Sequence, residues 1–162
     1  MGAMTTIDRT RRAFSIDEAV ALLAHTPPTL DAMLRGLPDT WLAANEGDKT
    51  WSPFDVVGHL IHGERTDWIP RARIILQHGE ARAFDKFDRF AQFAASNDRP
   101  LYDLLDEFAS LRRQNLENLK ALKLTAGDLD HIAQISRVLA RQYADEVGPW
   151  RAYLRIISGQ QG

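Results

Sequence analysis

Apolar positions recur at three- and four-residue intervals over five stretches of this chain, while no segment of five or more residues alternates convincingly as a strand. Ser15, with Glu18 three residues on, reads as a capping-box start. Ile16, Ala19, Val20 and Leu23 follow at helical spacing until Pro27-Pro28, which breaks or bends the run before it resumes through Leu30, Met33, Leu34 and Leu37. The strongest start signal is Ser52-Pro53-Phe54-Asp55, with Ser as N-cap, Pro at the first helical position and an acid where the helix dipole favours negative charge. From there the pattern predicts a helix to about Gln77, stopped by Gly79. Leu101, Leu104, Leu105, Phe108, Leu111, Leu119 and Leu122 define a third helix over about 100–123, and Asn115 within its stripe requires a buried partner. A fourth covers roughly 128–147, ended by Gly148-Pro149, and Trp150 to Ile157 gives a short terminal helix. Between Gly79 and Pro100, Phe84, Phe87, Phe90 and Phe93 mark an irregular or short helical crossover, with the rings as core anchors. The pattern predicts an all-α chain, most simply an up-down four-helix bundle with a short C-terminal helix. The fourth helix is short at its front end against the second.

Composition narrows the class. With 44% hydrophobic and 26% charged residues, and no apolar run approaching about 18 residues, this is an ordinary globular sequence without a membrane span. The length fits a single domain over residues 5–162, with Met1 to Met4 reading as a vector scar. Zero Cys removes disulfides and thiolate ligands, so any metal must take His, Asp, Glu or water, and together with the lack of a signal peptide this makes a cytoplasmic location the expectation. A net charge of −2 with interspersed signs offers no basic stripe for nucleic acid.

On a helical wheel at about 100° per residue, Phe54, Val57, Leu60, Ile61, Trp68, Ala72 and Ile75 form the buried face of the second helix, with Glu64 near its middle. A carboxylate there needs a partner, such as Arg65, Arg137 or Arg141. His59 and His62 stand at i and i+3 on this helix. His59 falls on the flank of its stripe and His131 on the flank of the fourth helix's, which suits the lip of a groove better than a core.

Two segments resemble the DinB-like superfamily of bacterial four-helix proteins. They are W-S-P-F-D-V-V-G-H-L at 51–60, continuing into G-E-R-T-D-W at 63–68, and H-I-A-Q-I-S-R at 131–137 with V-G-P-W at 147–150. The resemblance implies a bundle, often a homodimer, holding zinc, nickel or another divalent metal through three histidines, one from the second helix and an H-x-x-x-H pair from the fourth. His59 matches the first of these positions and His131 the last. Gly127 stands at the remaining one and has no side chain to ligate, which leaves Asp128, at i−3 from His131, as a substitute carboxylate or supporting partner. Similar members also carry a longer segment ahead of this point. The favoured explanation is a segment dropped from this sequence, because residues 122–125 read as a helix exit while Asp130-His131 reads as mid-helix.

The resemblance implies a metal-dependent enzyme acting on a small-molecule substrate, either a transferase using a low-molecular-weight thiol or a hydrolase. The competing reading is a non-catalytic small-ligand-binding or dimerisation bundle that has lost its third ligand. The chain holds no GxSxG and no Gly-rich loop that offers another mechanism.

Overall fold

The computed structural model describes residues 16–47, 50–85, 88, 90–125, 127–132 and 134–135. Among them are six α-helices and no strand: α1 (Ile16–Leu34), α2 (Asp39–Leu42), α3 (Pro53–Thr66), α4 (Trp68–His78), α5 (Ala91–Ser96) and α6 (Leu101–Ala121). A 3₁₀ turn, Gly79–Ala81, follows α4, and residues 127–132 begin a further helical segment. The expected terminal helix, the fourth helix beyond residue 135, Ser15, Phe87 and residues 1–4 lie outside the described residues.

The Ser52 start signal forms as its sequence dictates. Ser52 Oγ accepts the Asp55 backbone N–H at 3.2 Å while the Asp55 carboxylate accepts the Ser52 N–H at 2.9 Å, so two otherwise unpaired donors are satisfied reciprocally.

Proline decides two features of these helices. The single helix predicted from Pro53 to about Gln77 is two, parted at Asp67, because Pro70 lacks the N–H that would bond the Thr66 carbonyl and its ring crowds that turn. The break turns Trp68 outward, to 59% exposure, where an unbroken wheel buries it. Conversely, Pro27 and Pro28 lie inside a continuous α1. Pro27 leaves the Leu23 carbonyl without its helical donor, and the Arg112 guanidinium of α6 supplies one at 3.3 Å.

The main core joins Leu34 of α1, Leu42 of α2, Val57 and Ile61 of α3, and Leu101, Leu104, Leu105 and Phe108 of α6. A separate smaller cluster packs Ile75 of α4 against Ile135, flanked by Phe84 and Ile132. Ile132 and Ile135 therefore lie against the far half of α4.

The phenylalanine-studded link contains the short helix α5, which packs on α3 through Gln92 and Ser96, buried residues at i and i+4. That spacing turns the intervening Phe93 outward. Of the expected core anchors among the described residues, only Phe84 packs against a cluster. Phe90 and Phe93 are 63% and 38% exposed and stack on each other, with centroids 6.2 Å apart.

Candidate functional site around His59

His59 lies midway along α3, half-buried, with its ring held on two sides. Its Nδ1–H donates to Gln92 Oε1 of α5 at 2.8 Å, and Trp51 packs against the imidazole with centroids 4.7 Å apart. Trp51 in turn meets the edge of Phe93 at 6.3 Å. Gln92 is 1% exposed, and its Nε2, also buried, has no hydrogen-bond partner among the described residues. Since the amide oxygen only accepts, the bond places a proton on Nδ1, and in the neutral imidazole the lone pair then lies on Nε2 of His59.

The approach of α5 to α3 depends on Gly58, where a Cβ would stand 2.5 Å from Ser96 Oγ and 3.3 Å from Ser96 Cβ. A cleft of about 310 Å³ opens beside this contact, lined by Phe54, Asp55, Gln92, Phe93, Ala94, Ser96 and Asn97.

Asp67, in the break between α3 and α4, belongs to the same electrostatic neighbourhood. Burial raises its pKa above the usual 3.8, opposed by the Arg71 guanidinium paired with it and by the charges of His59 and His62. Arg71 also lies over the Phe84 ring, 4.8 Å from its centroid.

Glu64 is buried and paired, with a partner other than those expected. Arg112 of α6 donates through Nε at 2.9 Å and Nη2 at 2.6 Å to Glu64 Oε1. Asn115, the polar residue in the third stripe, donates to Glu64 Oε2 at 3.0 Å and to its backbone carbonyl at 2.7 Å. Arg65 pairs instead with Glu107, while Arg137 and Arg141 lie outside the described residues. A carboxylate with both oxygens engaged inside a core is a structural group.

His131 and Asp128 stand elsewhere. His131 is exposed, its Nε2 3.9 Å from where a Cβ would lie on Gly79, at the end of α4. The Asp128 carboxylate accepts the Thr125 N–H at 2.8 Å and hydroxyl at 2.7 Å, while Thr125 Oγ1 accepts the Asp128 N–H at 3.2 Å. These bonds form a second capping box and hold the Asp128 pKa below 3.8. With Thr125 capping the segment that starts at 127, Asp130-His131 belongs to its opening turns and not to mid-helix. Among the described residues no three His, Asp or Glu side chains converge on one point, so His59, Asp128 and His131 are not gathered into a ligand set. His59 is thus held by Trp51 and Gln92, while Asp128 is bonded to Thr125 and His131 lies beside Gly79.

Sequence reasoning missed Gln92 and Asp67. Gln92 carried no signal, since its partner is distant in sequence. Asp67 was signalled by Pro70, which sets the break it occupies.

Residues 22–150 match the family model of the DinB superfamily. Among solved structures the chain is similar to YfiT from Bacillus subtilis, described as "a probable metal-dependent hydrolase with an unusual four-helix bundle topology". The two share 19% identity over 84% of this chain and 93% of that one, with a TM-score of 0.59. At this identity the likeness speaks for the fold alone, and it bears out the expected four-helix bundle. No curated protein sequence matches. No helix among the described residues is long and apolar enough to cross a membrane.

Proposed function

The chain belongs to the DinB superfamily, and from that premise we propose that it is a metal-dependent enzyme of the hydrolase type, with His59 as the metal ligand contributed by α3. The observation that carries the reading is the imidazole of His59, wedged between Trp51 and Gln92 with its Nδ1–H given to an amide oxygen. Histidines that bind metals characteristically donate their other ring N–H to an oxygen, which fixes the tautomer and makes the ligating nitrogen more basic. Zinc and nickel both accept imidazole nitrogen, so the donor does not choose between them. A bound divalent metal would act as a Lewis acid, lowering the pKa of a water or thiol bound to it.

His131 and Asp128 are the further ligands under this reading. For either to join His59, the segment starting at residue 127 must leave Gly79 for α3, and Asp128 must give up its bonds to Thr125. The hydrolase type is preferred to a thiol-dependent transferase because the similar YfiT is described as a probable hydrolase. The bond between Gln92 and His59 also serves a non-catalytic small-ligand-binding bundle, and two observations favour that second reading: Gly127 offers no ligand, and His131 lies against Gly79.

Elemental analysis of untagged protein decides between them, with wild type compared with His59→Ala and His131→Ala. The enzyme reading expects about one metal ion per chain, lost in His59→Ala. Wild type that takes up no metal after reconstitution removes it. Retention of metal by His131→Ala removes His131 from the ligand set while keeping His59.

A further inference from the structure

We propose that the cleft between α3 and α5 binds a small neutral carbonyl compound, an amide or an ester, whose oxygen accepts from the buried carboxamide of Gln92. Three observations lead there. Gln92 is 1% exposed and lines the cleft, its Oε1 is committed to His59, and its buried Nε2 donors have no acceptor among the described residues. Buried donors are ordinarily paired, so an open one on a residue that lines a cavity calls for an acceptor, and we take that acceptor to come from a ligand. Phe54, Phe93 and Ala94 supply apolar walls, and Phe93 continues outward into its stack with Phe90. The remaining lining is short and uncharged except for Asp55, which is negative.

These features select the ligand's chemistry. A carboxylate or phosphate would meet Asp55 and find no cation among the described lining residues, so an anion is disfavoured. A pure hydrocarbon would leave the Gln92 donors open. A neutral carbonyl with an apolar group satisfies both constraints. The volume of about 310 Å³ stands at the lower end of small-molecule sites, roughly 300–1,000 Å³, so the ligand is compact. One carboxamide then serves two tasks, orienting His59 with its oxygen and seating the ligand with its nitrogen. In naming that ligand a hydrolase substrate the inference rests on the reading above, whereas the binding itself requires no metal.

The test is a two-dimensional NMR titration of the full chain, held metal-free with chelator, using benzamide as the neutral carbonyl probe and benzoate as its charged counterpart. Benzamide is expected to shift the signals of Gln92, Phe93 and Asn97, and benzoate to bind at least tenfold more weakly. Gln92→Met, which keeps the bulk and removes the donors, is expected to weaken benzamide by about threefold to tenfold. Phe93 is substantially exposed and outside the core, so Phe93→Ala keeps the fold and is expected to weaken the probe similarly even where Gln92→Met fails to fold. The inference is overturned by no shifts at millimolar benzamide, by shifts clustered away from α5, by benzoate binding as tightly, or by wild-type binding in Phe93→Ala. Benzamide binding in a protein that never takes up metal keeps the cleft and removes the metalloenzyme reading. Metal uptake without benzamide binding removes the cleft alone.

Discussion

Ser96 Oγ of α5 stands 2.5 Å from the point a Cβ would occupy on Gly58 of α3, and the Ser96 Cβ only 3.3 Å from it. A glycine inside a helix costs about 1 kcal/mol relative to alanine, so alanine at 58 would stabilise α3 if the space were open. It is closed, and forcing a methyl into a packed contact costs roughly 1–3 kcal/mol. Gly58→Ala is therefore expected to lower the unfolding free energy slightly and to move α5, taking Gln92 away from His59. Gly58→Ala with Ser96→Ala removes the nearest atom and is expected to recover part of the loss. Urea unfolding of the four proteins in this cycle checks it. Additive effects of the two substitutions would show that the contact does not limit the packing.

The contrast between this contact and the Ser52 box explains which parts of the molecule were legible. The Ser52-Pro53-Phe54-Asp55 start is local, so residue type and spacing determine its bonds. The Pro70 break is local too, and a proline this far into an apolar period outweighs the period itself. Gly58 against Ser96, Gln92 against His59 and Arg112 against Glu64 join different helices, and no periodicity specifies which partner a polar residue meets across an interface. The Phe series illustrates the same limit: spacing by three suggested core anchors, but the buried positions of α5 are Gln92 and Ser96. Thr125-x-x-Asp128 is local in the same way, and its spacing alone specifies the second capping box.

Arg112 holds Glu64 inside the core, with side-chain exposures of 8% and 1%. Arg112→Leu leaves the carboxylate with Asn115 alone and also strips the Leu23 carbonyl of its donor. The expected loss is about 3–5 kcal/mol, the usual consequence of orphaning one member of a buried pair. Glu64→Leu combined with Arg112→Leu removes both charges and is expected to be markedly more stable than Arg112→Leu. Chemical denaturation of the three proteins measures this. A double variant as unstable as the single one would assign the cost to what both lose, the donor to the Leu23 carbonyl and the packing on Phe108, over which the guanidinium lies at 5.1 Å.

Thr125 and Asp128 start the segment that carries His131. Thr125→Ala removes the N-cap oxygen and is expected to cost that segment about 1 kcal/mol. Because the segment touches α4 through Ile132 and Ile135, the change is expected as faster amide exchange over residues 128–132 with little effect on α6. Asp128→Asn should act in the same direction and remove a pH dependence. The folded-state pKa of Asp128 is depressed, so its contribution is present above 3.8 and fades as pH falls through the lower folded value. Unchanged exchange in both variants would show that the segment does not depend on this box.

Asp67 carries the opposite sign. Burial raises its folded-state pKa above 3.8, outweighing the Arg71 guanidinium, so the folded protein binds this proton more tightly than the unfolded chain does. Below 3.8 the carboxyl is protonated in both states and its favourable contribution is fully present. As pH rises from 3.8 through the folded value that contribution is lost, because the folded state must ionise a partly buried group. Asp67→Asn keeps the shape and cannot ionise. Its stability relative to wild type is therefore expected to increase as pH rises across this window and then level off. Arg71→Met removes the charge that holds the shift in check, so it is expected to enlarge the rise and carry it to higher pH. Paired unfolding curves at several pH values read the differences directly, with the effects of titrating groups that do not interact with Asp67 cancelling. A wild type that gains on Asp67→Asn as pH rises would mean that Arg71 outweighs burial, and Asp67 would then be an ordinary ion-pair carboxylate at the α3–α4 break.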